Sequence, residues 1–269
     1  MNAEVVIQYD SPQDSMRGAG VLLYMARGEG PGREIAFVLG QESYVKDWNQ
    51  SGCWSAFEGG RKAGESCEQT AAREFVEETA GAVPLFGTSD PAQIAERLAQ
   101  GEYALRISVN RGSGTAQQRN HVMFLVRIPW GTPVVEMFAS VYGPLNHLQQ
   151  CALSAATASA RAEAMVPQDP RRAAICAERQ ERRKKTRLCL STLPAHLRSH
   201  PALAGTADDP VVSIDYLEKR AVQVVPMRRL EQVLSRRDTR VVPHGLRLRF
   251  SFVPVIKTVI HELKTRAGV

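Results

Sequence analysis

Alternating and continuous apolar runs mark the first part of the chain. GVLLYMA (20–26) and REIAFVLGQE (33–42) have strand length and are joined by the turn-rich RGEGPG, which predicts a hairpin. CWSAF (53–57) predicts a further short strand, and the glycine-rich EGGRKAGE follows it as a loop. From Ser66 the period changes. Ala71, Ala72, Phe75 and Val76 recur at helical spacing, Ser66 and Gln69 form an S-x-x-Q capping box, and a helix is expected over 67–79. Gly81 suits the left-handed residue just past its end. AQIAERLAQ (92–100) predicts a second helix, then YALRISV (103–109) and HVMFLVRI (121–128) predict strands.

Beyond residue 130 the strand patterns vanish. Alanine, arginine and glutamine dominate, and LNHLQQCALSAATASARAEAM (145–165) and RRAAICAERQERRKKTRLCL (171–190) predict helices separated by PQDP. Strand patterns return at RAVQVVP (220–226) and LRLRFSF (246–252). Val255, Val259 and Leu263 predict a closing helix in VPVIKTVIHELKT (253–265). The organisation expected is one α/β domain, residues 1–130 and 211–269, interrupted by a helical basic insertion, residues 131–210.

Composition narrows the class. Hydrophobic residues make up 43% of the 269, as in soluble globular proteins. No apolar run approaches the roughly 20 residues that cross a bilayer, so no membrane association is expected. MNAEVVIQYDSPQD lacks the basic start and apolar stretch of a secretory signal. The odd, scattered set Cys53, Cys67, Cys151, Cys176 and Cys189 is no disulfide framework, and predicts a reducing cytoplasmic or nuclear setting. The net charge of +6 is local: residues 161–198 hold ten Lys or Arg against four acids, and the remaining 24 basic and 24 acidic residues cancel.

REFVEET (73–79) poses the chemical question. Glu74, Glu77 and Glu78 stand at i, i+3 and i+4, where like charges disfavour a bare helix by about 0.2–0.5 kcal/mol per pair. Arg73 can reach Glu77 one turn on. Hard oxygen ligands at this spacing suit Mg²⁺ or Mn²⁺, which neutralises a diphosphate while water attacks phosphorus. Taken alone, the same stretch also suits a surface helix whose acids face water.

Taken with Gly59 and Glu65, the stretch resembles the Nudix box, G-x5-E-x7-R-E-U-x-E-E-x-G-U, where U is a bulky apolar residue. Gly59, Glu65, Arg73, Glu74, Glu77 and Glu78 meet its fixed positions, and a random chain of this length does so about once in 10⁵ tries. The closing glycine is displaced: Ala80 stands in its place and Gly81 follows, which predicts a helix one residue longer before its cap. The resemblance implies a Nudix-type α/β/α sandwich around a mixed sheet, and a pyrophosphohydrolase dependent on Mg²⁺ or Mn²⁺. It implies that Glu74, Glu77 and Glu78 bind metal, while Glu65 and Arg73 pair to hold the loop against the helix. Gly59 and Gly60 are the candidates for close backbone approach to substrate, and the spacing favours Gly59. The general base stays open among Glu74, Glu136 and Glu218. The substrate implied contains a nucleoside diphosphate linked to another group, with capped RNA the narrower choice.

The insertion bears on that choice. In ERQERRKKTR (178–187), a helix would align Arg179, Arg183 and Arg187, with Arg182, Lys184 and Lys185 adding charge and Ile175, Leu188 and Leu190 serving as apolar anchors. Such a stripe can bind RNA phosphates by counterion release, or can be a solvated face or a nuclear-import signal. In layout the insertion is similar to the helical additions of viral mRNA-decapping Nudix enzymes. The alternative function is a non-catalytic RNA-binding module on the same fold. His196 and His200, with Cys176 and Cys189 upstream, lack the pattern of a zinc site. Cys67 and Trp54 are expected to pack in the core.

Overall fold

The computed structural model describes residues 6–7, 16–110, 120–165, 169, 171–206, 209–235 and 246–267. Apart from 6–7, the N-terminal stretch MNAEVVIQYDSPQD lies outside them, as does PQDP apart from Asp169. The elements in order are β1 (Val6–Ile7), β2 (Met16–Arg27), β3 (Glu34–Glu42), β4 (Trp54–Ser55), β5 (Phe57–Gly60), α1 (Cys67–Glu78), α2 (Pro91–Ala99), β6 (Leu105–Asn110) and β7 (Asn120–Ile128). There follow α3 (Val134–Glu163), α4 (Arg172–Thr192), α5 (Ala195–Arg198), β8 (Leu203–Thr206), β9 (Asp209–Val212), β10 (Lys219–Pro226), α6 (Met227–Leu234) and α7 (Val253–Ala267). Among the described residues, no helix is long and apolar enough to cross a membrane.

The chain forms two compact units, residues 1–138 with 218–269 and residues 139–217. The first is an α/β/α sandwich around a mixed sheet of order β1-β6-β7-β2-β3-β10, with β4 added to β3 and β5 to β2. β2 lies at its centre, parallel to β7 and antiparallel to β3 and β5. Strand alternation sends its residues to opposite faces. Leu22 and Tyr24 join Phe37, Leu39 and Met123 in the core completed by Leu230 and Val233 of α6 and Val255, Ile256 and Val259 of α7. On the other face α1 packs over β2 and β5, where Phe57 meets Phe75 edge-to-face at 5.5 Å, an arrangement worth about 0.5–1.5 kcal/mol beyond area burial.

Several expectations need correction. CWSAF is not one strand, since β4 pairs with β3 and β5 with β2. LRLRFSF makes a single parallel bridge, Leu248 to Trp54, and then turns into a 3-10 helix over Phe250–Phe252. A continued strand would put Phe250 and Phe252 on one face, whereas Phe252 is buried and Phe250 is 84% exposed. Helix α1 is not lengthened. It ends at Glu78, and Ala80 itself takes the left-handed conformation (φ 53°) ahead of Gly81 (φ 62°). Gly81 N–H donates to the Val76 carbonyl and Ala80 N–H to that of Glu77, a Schellman cap in which alanine accepts a cost of about 1–2 kcal/mol.

In the second unit, α3 and α4 form an antiparallel pair tied by Arg161–Glu178, Arg179–Glu163 and Arg182–Ser154, and β8 pairs with β9 as a two-stranded ribbon. The ribbon overturns the expectation that strands are absent there. Helix α3 begins at Val134 and runs through Pro144. Val134, Phe138, Val141, Leu145 and Leu148 are buried on both sides of the proline, and this periodic burial outweighs the lost hydrogen bond.

Candidate functional site

The box begins where β5 leaves the sheet. β2 and β5 pair through glycines, Gly18 with Gly60 and Ala19 with Gly59. A Cβ on Gly59 would stand 2.2 Å from the Glu74 carboxylate, whereas one on Gly60 would meet nothing within 4 Å. Gly59 is therefore packed against Glu74, and Gly60 is open. The loop then enters α1 through the capping box, with Gln69 N–H donating to Ser66 Oγ and Ser66 N–H to Gln69 Oε1.

Arg73 joins loop and helix. Its Nε donates to Glu65 Oε1 at 2.6 Å, Nη2 to Glu65 Oε2 at 3.0 Å and to the Gly60 carbonyl at 2.8 Å, and Nη1 to Glu74 at 2.7 Å and Glu77 at 2.8 Å. All five donors of the guanidinium are thereby used. The hydrogen bond from Arg73 outweighs burial and, with the Lys62 N–H and Thr70 Oγ1, holds the Glu65 carboxyl down at about 2. Burial works against the Arg73 charge, but Glu65, Glu74 and Glu77 hold it well above the usual arginine value.

The three acids then part ways. Glu74 lies behind the Gly59 backbone, and burial pushes its carboxyl up to about 7 despite Arg73, with Glu77 and Glu218 adding negative charge. Glu77 is partly exposed beside Lys62, 3.5 Å away. Glu78 turns inward, where its Oε2 accepts from the Glu58 N–H at 2.6 Å and its Oε1 lies 2.9 Å from Lys219 Nζ.

Lys219, Glu42 and Ser55 complete the inner half. Lys219 Nζ also lies 2.5 Å from Glu42 and donates to Ser55 Oγ at 2.9 Å, so three ammonium protons meet three acceptors. A bulge between Lys219 and Ala221 sets this side chain inward while Arg220 faces solvent, a local kink of the kind bulges provide beside functional sites. Burial pushes Glu78 well above the usual carboxylate range, because one ammonium faces two carboxylates. Burial also opposes the Lys219 charge, yet Glu78 and Glu42 hold it above the usual lysine value. Beyond Glu42, Arg249 Nη1 lies at 3.3 Å, and His121 Nε2 is 3.0 Å from Glu58.

Sequence reasoning missed Glu42, Ser55, Lys219, His121 and Arg249. The one local sign was a charged residue flanking each apolar strand, and that pattern is common at strand ends. Of the two outlying candidate bases, Glu218 is exposed within electrostatic reach of Glu74. Glu136 is exposed on the first turn of α3, and among the described residues no hydrogen bond or ion pair joins it to the box.

The basic run on α4 is engaged at several points. Arg182 turns into the helix pair, bonding Glu178 at 2.5 Å and the Ser154 hydroxyl. Arg179 faces Glu163 at 3.7 Å and Lys184 faces Glu181 at 2.7 Å. Arg183 is half-buried, and Lys185 and Arg187 are exposed. Leu188, expected as an apolar anchor, is 61% exposed, and the buried residue of the helix is Thr186. Cys67 and Trp54 are buried. His200 accepts from the Ala202 N–H and stacks edge-on against Tyr216.

In comparison with known proteins, no family model matches the chain, and no curated protein does. The chain is similar to a solved mutT/nudix family protein from Listeria innocua, at 12% identity and a TM-score of 0.37 over 93% of this chain and 94% of that one. It is also similar to an Ap4A hydrolase from C. elegans (18% identity, TM-score 0.26, 43% of this chain and 68% of that one). A Nudix hydrolase from M. smegmatis gives 19% identity and a TM-score of 0.25 over 51% and 87%.

Proposed function

We propose that this protein is a Mg²⁺- or Mn²⁺-dependent hydrolase cleaving a phosphoanhydride bond in a substrate that links a nucleoside diphosphate to another group, with capped RNA as the narrower substrate. The observation that carries the reading is the Arg73 knot. One guanidinium ties the loop, through Glu65 and the Gly60 carbonyl, to Glu74 and Glu77 on the helix. Such an arrangement supports the roles that the resemblance to the Nudix box implies.

The donor chemistry fits the ion, although the three carboxylates do not converge on one point in this structure: Glu78 is turned to Lys219 and the Glu58 N–H, and Glu77 to Arg73 and Lys62. Glu74, Glu77 and Glu78 offer hard oxygen ligands alone, and Gly59 leaves the Glu74 carboxylate flush against the backbone. These three residues would hold the metal, which when bound neutralises the diphosphate and polarises a water for in-line attack. The general base stays open among Glu74, Glu136 and Glu218, since a metal on Glu74 would hold its carboxylate ionised. Arg73 and Glu65 position the loop.

One observation favours the second reading, a non-catalytic RNA-binding module: Arg73 and Lys219 already offset the three acids. A hydrolysis screen with Mg²⁺ and Mn²⁺ over nucleoside triphosphates, dinucleoside polyphosphates, nucleotide sugars and capped RNA separates the two. Metal-dependent release of a phosphorylated product is expected. RNA binding without turnover of any of these would favour the module.

A further inference from the structure

Helices α3 and α4 bring together three side chains that lie far apart in sequence. His147 and Cys151 sit one turn apart on α3, so they share a face. Cys189 on α4 meets both: its Sγ lies 3.3 Å from that of Cys151 and 3.4 Å from His147 Nε2. The three ligand atoms all fall within 4.8 Å of one another, and no other trio of His, Cys, Asp or Glu converges so closely among the described residues.

The geometry points to a Cys₂His site for a borderline-soft divalent cation of the Zn²⁺ class, clamping α3 to α4 in the 139–217 unit. Zn–S bonds of about 2.3 Å and Zn–N bonds of about 2.0–2.1 Å at tetrahedral angles set two sulfurs ~3.8 Å apart, and sulfur and nitrogen ~3.6 Å apart. The two separations at Cys189 are shorter by a few tenths of an ångström, a change small enough for side-chain rotation to absorb. Two thiolates and an imidazole select such a cation over Mg²⁺, which prefers oxygen. His147 is exposed and both cysteines are half-buried, so water can supply the fourth ligand. On binding, each thiol gives its proton to solvent and the ion takes two thiolate sulfurs. Ion pairs and a bond to Ser154 also tie the helix pair, and a metal there would add a contact that salt does not screen.

The test uses the full chain, reduced and stripped by chelator, then titrated with Co²⁺ and displaced by Zn²⁺. Thiolate-to-cobalt charge-transfer bands of a tetrahedral site are expected, saturating at one equivalent and lost on adding Zn²⁺. Carboxylate sites give no such bands, so the Glu74 cluster does not interfere. Removing an outer partner of a ligand costs about 10–100-fold in affinity, so Cys151→Ser, Cys189→Ser and His147→Ala should each weaken Zn²⁺ binding by at least ~100-fold. Cys176→Ser, which alters a thiol on α4 outside the cluster, should leave affinity unchanged. Absence of the thiolate bands in the reduced parent, equal affinity in parent and Cys151→Ser, or an obligatory Cys151–Cys189 disulfide that reductant does not open would each overturn the assignment.

Discussion

Lys219 Nζ lies 2.9 Å from Glu78 Oε1, with the two side chains 0% and 2% exposed. The pair joins the first strand position after the insertion to the last residue of the box helix, and Glu42 at 2.5 Å makes it a triad. Removing one side of a buried ion pair costs about 3–5 kcal/mol, because the remaining charge is stranded. Lys219→Met should lose that much in urea denaturation. Glu78→Gln alone should hold or raise stability, since burial already disfavours its charge. In the Lys219→Met background it should recover at least ~1 kcal/mol more than it gains alone, a coupling that a double-mutant cycle isolates. Additive effects would show that the two groups do not share the charge.

Arg73→Ala should fail through structure. It frees Glu65, the Gly60 carbonyl, Glu74 and Glu77 at once, at a cost of about 3–5 kcal/mol for a largely buried pair broken on one side. Arg73→Lys should rescue little, because one ammonium cannot reproduce the planar fork. An unchanged melting temperature in Arg73→Ala would contradict this role.

Turnover should depend on the acids independently of the fold. Glu77→Gln and Glu78→Gln are each expected to lose most hydrolysis at saturating Mg²⁺ while circular dichroism stays that of the parent. Near-normal rates in both would remove these residues from the metal site.

Glu74 gives stability a pH dependence. Its folded carboxyl titrates at about 7, above the unfolded value of 4.5, so the folded state binds the extra proton between these limits. The protein without metal should therefore lose stability as pH rises from about 4.5 to 7 and level off above it. Glu74→Gln should flatten this slope and stabilise the metal-free protein by about 1–2 kcal/mol at pH 8. A slope identical to the parent's would place the titration elsewhere.

The basic helix allows a salt test. Arg179, Arg182 and Lys184 stand in ion pairs that must open before these three can meet phosphates. Changing all six (those three with Arg183, Lys185 and Arg187) to glutamine should therefore flatten log K against log salt for single-stranded RNA by no more than about 2. A change near 4 would mean that the ion pairs open on binding. No change would make the face merely solvated.

What the sequence determined by itself was local. Ser66 and Gln69 cap α1, and Arg73 reaches Glu77 one turn on, because helical spacing alone sets those separations. β2, β3, β6, β7, β10 and the closing helix were legible for the same reason: a buried face imposes a period of 2 or 3.6 on the chain. LRLRFSF carries a strand period, and tertiary packing overrode it by drawing Phe252 into the core. Tertiary structure also decided which charges and thiols meet. Lys219 finds Glu42 and Glu78 only because β10 pairs beside β3 and a bulge turns the lysine inward. Cys189 finds Cys151 and His147 only because α3 and α4 run antiparallel. No sequence period records these contacts, since each depends on the register between segments that the chain itself leaves far apart.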